Sequence, residues 1–439
     1  MNMANPFSKT IIAAALLWLP FQAGYGQAPV RTLTLDEVTT LGLANSKQLQ
    51  ASAARADAAH ARTLQNRAAT VPGVAYNGSY YRLSDNITPF ESSFFTIPVL
   101  LNQTTNRISV SEPVFTGLRA LNTIRAAEFL ENAARFDFEK DRKEVQLNLL
   151  GAAINLYKLQ EALKVFDSNL ATAKNRLTDT QNLQAQGMAL DNDVLKADLA
   201  VTQLETARVE TENAVAAGQY ALNLLLGLPV ETTLRIDSAS ILEPAAPETL
   251  DAFMGGALQR ADVKAATQRA FASEKQILVS KGAFLPLVSL GANLYANNPN
   301  QRQFPVEDKF ITTWDAGVSV SWNISSLFTS KYNVQEAKLN LAQAGATRDQ
   351  ITDAARSEIA SNYYAWQTAD RKIALSEKAV LQATENQHIT KLRYEQQIAS
   401  LADLLDADAL LLQAQISRVS AKADARLAYL RLLRSAGRL

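Results

Sequence analysis

The chain repeats itself, and this internal repeat constrains its fold more strongly than any other feature of the sequence. Three blocks recur in the same order, offset by about 210 residues. The clearest pair is QGMALDNDVLKAD, which begins at Gln186, and QQIASLADLLDAD, which begins at Gln396. Another pair aligns Pro72 with Pro286. Ordered matches at nearly one offset favour a duplication over chance similarity between alanine-rich helices.

The repeat divides the chain into two copies of one helix–strand–strand–helix unit. We predict the first unit at 28–227, the second at 248–439, and a linker between them at 228–247. The linker is rich in proline, which ends helices and begins irregular connections, so we expect irregular structure there.

Long helices are predicted because Ala, Leu and Gln crowd long stretches that contain little Gly or Pro. Thr34 and Glu37 have the spacing of a capping box at the first helix. The segment 118–184 contains no proline, and as one uninterrupted helix it would be about 100 Å long at 1.5 Å per residue. The predicted helices are 35–70, 118–184 and 193–226 in the first unit and 249–284, 328–394 and 403–436 in the second.

Helices of this length have no place in a globular core, so we expect an elongated coiled-coil object. Apolar and small residues in the last helix alternate spacings of four and three, as a coiled-coil seam does. The predicted seam residues are Leu405, Ala409, Leu412, Ile416, Val419 and Ala423.

The first 27 residues have the pattern of a secretory signal. Lys9 provides the positive charge, 11–19 the apolar core, and 24–26 a small-x-small cleavage site. The chain contains no Cys, so it has no N-terminal cysteine for a lipid. We find no later stretch of about 18 apolar residues, so membrane insertion would require a closed β-barrel.

Four strand candidates lie between the helices, and the fourth is the most informative. Apolar residues alternate with polar ones along it, with a Trp at each end, which is typical of a membrane barrel strand. The residues predicted to face lipid are Trp314, Val318, Val320 and Trp322 from this strand and Leu290 from the third. A soluble antiparallel sheet with one wet face is the alternative for each strand taken singly.

Four strands cannot close a barrel, and open strand edges are not tolerated in lipid. Oligomerisation must therefore complete the barrel. Three chains that contribute twelve strands are the natural solution, although composition would also allow two or four. The predicted fold class is thus mainly α with a membrane β-barrel portion.

Composition and motifs argue against other functions. With 43 basic and 43 acidic residues, the chain has no charge excess for nucleic acid. His60 and His388 stand alone in helical stretches, and we find no phosphate loop or nucleophile elbow. We therefore predict no enzyme activity, no cofactor and no metal.

Taken together, these features resemble those of the TolC-type outer-membrane efflux proteins, and the resemblance covers essentially the whole mature length of the chain. The matching features are LTLDEVTTLGLANSKQLQ from Leu33, the repeated strand entries at Pro72 and Pro286, and RYEQQIASLADLLDADALLLQAQ from Arg393. The resemblance implies a homotrimer with one twelve-stranded barrel in outer-membrane lipid and a helical tunnel through the periplasm of a Gram-negative cell.

The resemblance also implies partners and a function. It implies docking to a periplasmic adaptor protein and, through it, to an inner-membrane transporter of the RND, ABC or MFS type. The chain would be the passive exit duct of an efflux or type I secretion system. A soluble periplasmic coiled-coil adaptor or scaffold is the alternative function. The exported substrate is left open by the sequence.

The resemblance places a gate at the periplasmic helical tips. Tyr394 matches the family's tip tyrosine, Asp403 and Asp406 match two pore-facing aspartates, and Asp193 is the first-unit partner of Asp403. The family's usual tip arginine is replaced by Ala399, which puts the closing ion-pair network in doubt.

Two further expectations concern charges at the tips. Lys196 aligns with Asp406 and could supply a different cation. In a trimer, Asp403 and Asp406 would form two stacked acidic rings that attract cations. Alternatively, Asp193 and Asp403 cap the helices that leave the tips.

Overall fold

A computed structural model describes residues 30–87, 90–91, 94, 96–97, 100–241, 248–304 and 306–439. The predicted signal segment, 1–27, lies outside these residues. The elongated helices α3 (Arg119–Ala185) and α8 (Ser326–Glu395) contain 67 and 70 residues, so each is about 100 Å long at 1.5 Å per residue. The helices are α1 (Leu35–Asn45), α2 (Lys47–Ala68), α3 (Arg119–Ala185), α4 (Asp191–Leu226), α5 (Ser238–Ile241), α6 (Leu250–Met254), α7 (Ala261–Lys281), α8 (Ser326–Glu395) and α9 (Leu401–Ser435).

The predicted capping box at Thr34 is confirmed, but the single helix predicted over 35–70 is wrong. The Thr34 hydroxyl accepts from the Glu37 amide at 3.2 Å, and the Glu37 carboxylate accepts from the Thr34 amide at 2.9 Å. Ser46 has an extended backbone, which ends α1, and its hydroxyl accepts from the Leu49 amide to begin α2. A serine that can cap a new helix thus breaks the helical stretch.

The helix predicted over 249–284 is also divided. It consists of α6, a 3-10 turn at Ala257–Gln259, helix α7 and a second 3-10 turn at Gly282–Phe284. Gly256 marks the main break, because a Cβ atom there would lie 2.2 Å from the carbonyl oxygen of Ala436. The break lets the chain approach the end of α9 closely.

The long helices form two antiparallel hairpins, α3–α4 and α8–α9, and α3 also packs along α9. At the other end of the long helices, α2 packs on α3, and α7 packs between α3 and α8. Of the predicted seam residues, Ala423 is fully buried within the chain, whereas Ala409 is exposed. The other four seam residues are half-buried in the single chain, where α9 buries Leu404 and Ala407 more deeply, so the coiled-coil seam stays a prediction. No described helix combines the length and apolar character needed to cross a membrane.

The described strands are β1 (Arg31–Leu33), β2 (Gly73–Arg82), β3 (Phe90–Glu91), β4 (Thr96–Ile97), β5 (Asn102–Phe115), β6 (Leu234–Ile236), β7 (Leu287–Asn297) and β8 (Ile311–Ser321). Four of them form one antiparallel sheet in the order β2-β5-β7-β8. A short hairpin, β3–β4, lies within the connection from β2 to β5.

The sheet register aligns the apolar residues of neighbouring strands. Leu290 of β7 pairs with Val318 of β8, and Leu294 pairs with Trp314, so these side chains share one face. Trp314 is 75% exposed and Val318 66% exposed in the single chain. Val320 and Leu290 are also exposed. Trp322 lies one residue beyond β8, where its indole N–H donates to the carbonyl oxygen of Phe284 at 3.2 Å.

The prediction of irregular structure for the linker is wrong in part. Within 228–241, β6 pairs in parallel with β1, which precedes the first helix. Leu234 and Ile236 of β6 are buried in the main apolar core beside Leu33. Burial of these side chains fixes the segment as a strand, which the prolines around it do not reveal.

Candidate functional site at the helical tips

Two turns, at 186–190 and 396–400, join the long helices of each hairpin and are called the tip turns. Gly187 in the first has φ +72°, and Gln397 in the second has φ +63°. In each turn, an amide donates back across five residues at 2.8 Å, from Met188 to Leu183 and from Ile398 to Arg393. This is the Schellman arrangement that closes a helix with a left-handed residue. The two tip turns therefore have the same backbone geometry, although only one has glycine at the left-handed position.

A complete capping box begins α9. The Ser400 hydroxyl accepts from the Asp403 amide at 3.2 Å. The Asp403 carboxylate in turn accepts from the Ser400 amide at 2.9 Å and from the Ser400 hydroxyl at 2.7 Å. These hydrogen bonds from Ser400 favour the charged carboxylate and lower the pKa of Asp403. Asp403 thus serves as a helix cap while its side chain stays exposed.

The equivalent start of α4 is simpler. Leu190 occupies the position of Ser400 and has no hydroxyl, so only the Asp193 carboxylate acts, accepting from the Leu190 amide at 3.3 Å. Lys196 lies one turn along, with its Nζ 3.8 Å from Asp193 Oδ1. The Lys196 ammonium group therefore pairs with a carboxylate of its own helix, α4, and not with the other hairpin.

An open cleft of about 1120 Å³ separates the two hairpins at the tips. Asp193 from the first hairpin and Tyr394 from the second both line this tip cleft, and Ala399 lines it as well. Asp406 lies exposed one turn beyond Asp403 on α9. The structure therefore brings Asp193 and Tyr394 to one cleft, whereas Asp403, Asp406 and Lys196 are not among its lining residues.

One ion pair between the hairpins was not found by sequence reasoning. Arg176 of α3 has its Nε 3.0 Å from Asp408 Oδ2 of α9, and only 10% of the Arg176 side chain is exposed. Gln387 of α8 donates to Asp408 Oδ1 at 3.1 Å. The block repeat aligned Asp408 with Asp198 but carried no signal for Arg176, which approaches Asp408 only through packing of α3 against α9.

Burial controls the ionisation of Asp408. Desolvation raises the pKa of Asp408, and the charge of Arg176, the Gln387 hydrogen bond and the charge of Lys391 offset this only in part. The carboxylate therefore sits in an environment that favours its neutral form more than water does. Near the tips, Arg176 rather than Lys196 forms an ion pair between the hairpins, in the absence of an arginine at position 399.

The family model of the outer membrane efflux proteins matches residues 40–228 and 257–438. The chain belongs to this family. Its membership confirms the predicted efflux function and the outer-membrane location with an extension into the periplasm. The alternative of a soluble periplasmic adaptor receives no support.

Named relatives and a solved structure agree with this membership. The chain is 22% identical over 384 residues to the solvent efflux pump outer membrane protein SrpC of Pseudomonas putida, covering 85% of this chain and 78% of SrpC. It is 24% identical over 397 residues to the pyoverdine export outer membrane protein OpmQ of Pseudomonas putida KT2440, covering 87% of this chain and 81% of OpmQ. The outer membrane protein VceC of Vibrio cholerae superposes with a TM-score of 0.76 at 20% identity, covering 92% of this chain and 96% of VceC.

Proposed function

We propose that three copies of this outer membrane efflux protein form one passive exit duct, with a twelve-stranded barrel in lipid and a helical tunnel in the periplasm. The observation that supports this most is the single sheet with one exposed apolar face, which carries Trp314 and Val318. An exposed apolar face of this kind is stable in lipid, provided that the sheet has no open edge.

The sheet edges fit closure by further copies. β2 and β8 are its outer strands, with 10 and 11 residues. Because every neighbouring pair is antiparallel, β2 and β8 run in opposite directions. β8 of one copy can therefore pair with β2 of the next in an antiparallel ladder, and three copies close the ring. In this arrangement the residues that face lipid are Trp314, Val318, Val320, Leu290 and Trp322.

The internal duplication supports the same architecture. Two units, 28–227 and 248–439, would each supply one pair of main strands and one long hairpin, so three chains present six similar hairpins around the tunnel. The matching geometry of the tip turns, with Gly187 and Gln397 at equivalent places, supports this division. The six hairpins are equivalent in their walls and differ at the tips.

The tips are the proposed gate. Opening requires the hairpins of one chain to separate, and the Arg176–Asp408 pair joins them at that place. Exposed Asp403 and Asp406 would form rings of three carboxylates around the entrance, which attract cations. Asp193 and Tyr394 would close the tip cleft from its two sides.

The proposed partners follow from family membership and from relatives that are named as components of efflux pumps. We infer a periplasmic adaptor at the tips and an inner-membrane transporter that selects the cargo and provides the energy. SrpC is named for solvents and OpmQ for pyoverdine, so the family serves different cargoes. The duct itself performs no chemical reaction and takes its cargo from the transporter.

Membrane fractionation with heat-modifiability tests the trimeric duct. We expect detergent-extracted protein from the outer membrane to migrate as a trimer without heating and as a monomer after boiling. Val318→Asp, on the face proposed to meet lipid, should reduce trimer yield, whereas Ser319→Asp on the opposite face should reduce it less. A soluble periplasmic monomer would contradict the proposal.

A further inference from the structure

The first part of the connection between β7 and β8, residues 298–304, folds back onto the polar face of the sheet. Asn300 is 2% exposed, and its side-chain amide donates to the carbonyl oxygen of Ile311 at 3.0 Å. Its side-chain oxygen accepts from the Arg302 amide at 2.9 Å. These contacts fix the segment 298–304, which we call the fold-back segment, against its own hairpin.

The Arg302 side chain holds the fold-back segment to the sheet. Its guanidinium forms an ion pair with Asp315 and lies 4.5 Å from the ring centroid of Tyr295. Asp315 also accepts a hydrogen bond from the side-chain amide of Asn293 at 2.7 Å. Tyr295, Asn293 and Asp315 share the face opposite to Trp314, because side chains alternate along the strands.

The ion pair lies well inside the strand. Asp315 is four residues from Ile311, the end of β8 that is remote from the helices, which corresponds to about 13 Å. In the duct proposed above, on which this inference rests, the polar face is the lumen wall and this end is the outer exit. A twelve-stranded barrel has a backbone radius of about 12 Å, estimated from strand spacing and tilt.

A layer of chain packed on a sheet face lies up to about 10 Å from it, a distance comparable with that radius. Three symmetric segments therefore occupy much of the exit. We propose that the fold-back segment is a size-selecting constriction at the outer exit, and that Arg302 and Asp315 are the residues that position it.

Graded thiol labelling from outside tests this inference. The chain has no Cys, so Ser319→Cys places a single thiol on the polar face, deeper than Asp315. In intact cells we expect a small maleimide to react readily and a polymer-linked maleimide slowly. Adding Arg302→Met or Asp315→Asn should speed the polymer reaction about tenfold, because a charge-assisted contact is lost, and leave the small-maleimide rate unchanged.

Controls separate size selection from charge and from misfolding. Arg107→Met removes a cation from the same face outside the fold-back segment, so the polymer rate should stay at its original value. The exchanged pair Arg302→Asp with Asp315→Arg should restore slow labelling. Every variant is first shown to form heat-modifiable trimers.

Two results would overturn the inference in distinguishable ways. Equal rates of labelling by the polymer-linked maleimide in the original, Arg302→Met and Arg107→Met backgrounds would contradict the constriction. The proposed duct would not be affected by that result. If Ser319→Cys is protected from the small maleimide and Val318→Cys reacts instead, then the apolar face of the sheet lines the lumen. That result would contradict both the proposed duct and the constriction.

Discussion

Arg176 of α3 and Asp408 of α9 form an ion pair, 3.0 Å from Nε to Oδ2, at the place where the two helical hairpins of one chain meet. The pair is nearly buried on the arginine side and one quarter exposed on the aspartate side. Because the hairpins must part for the proposed duct to open, the ionisation of Asp408 and opening at the tips are coupled.

Arg176→Met should open the tips at neutral pH. It leaves the Asp408 carboxylate in the closed tip without its cation, at an expected cost of about 2 kcal/mol, below that of a fully buried pair. We expect more frequent openings and a higher mean conductance in planar bilayers. Arg208→Met is the matched control, since Arg208 pairs with Asp167 and Glu212 within the first hairpin. Equal behaviour of the two variants would exclude a role for Arg176 in closure.

Acidification should close the tips. Burial raises the pKa of Asp408 in the closed tip, and a solvated carboxylate in the open tip has an ordinary pKa. The state with the higher pKa binds the proton more tightly, so closure gains stability as pH falls from the raised pKa towards the ordinary one. Open probability in bilayers should fall over that window.

Variants at the pair test the origin of this pH dependence. Asp408→Asn should remove the dependence and favour closure at all pH values, whereas Arg176→Met should enlarge it, since the unpaired carboxylate has a still higher pKa. An acid response that survives unchanged in Asp408→Asn would assign it to another group.

Asp403 and Asp406 should differ in structural role but share an electrostatic one. Both Asp403→Asn and Asp406→Asn should weaken cation selectivity and cation block, because each removes one proposed ring of three charges. Only Asp403→Asn should also loosen the first turn of α9, by about 1 kcal/mol, because Asp403 belongs to the capping box with Ser400. Hydrogen exchange at the start of α9 measures the second effect, and reversal potentials measure the first. Unchanged cation selectivity in both variants would contradict the proposed rings of carboxylates at the entrance.

The left-handed residues of the tip turns should respond in opposite directions. Gln397→Gly should stabilise the second tip turn by about 1 kcal/mol, because a residue with a Cβ is strained at φ +63°. Gly187→Ala should destabilise the first by a similar amount, although a Cβ there meets no atom within 4 Å, so the cost arises from the backbone alone. Local hydrogen exchange at each turn is the measurement. Equal exchange in Gln397→Gly and the original chain would show that the second turn relaxes freely.

Much of the fold follows from local sequence. The long helices α3 and α8 were predicted to within a few residues, because uninterrupted helix-forming stretches leave no competing structure. β7 and β8 were predicted from alternation, which requires only that one face be apolar. The sequence does not predict the break at Ser46, because a serine within a helical pattern can either continue the helix or cap a new one. Which of the two occurs depends on the tertiary packing of the flanking helices.

The site was predicted only where it is local. The cap role weighed for Asp403 depends on a residue three positions away, and the structure contains that contact. The isolation expected of His60 is wrong, since it lies 3.0 Å from Glu131 on the neighbouring α3. Sequence spacing cannot anticipate a partner 71 residues away.

By itself, the sequence determined the helices, the alternating strands and the family, since each depends on periodicity or on ordered motifs within short stretches. Only the tertiary structure decided which charges meet, because Arg176 reaches Asp408 through the packing of α3 on α9. The position of Arg302 over Tyr295 likewise depends on how a connection folds onto its hairpin. Contacts between distant segments are set by the relative placement of whole elements, which no local pattern records.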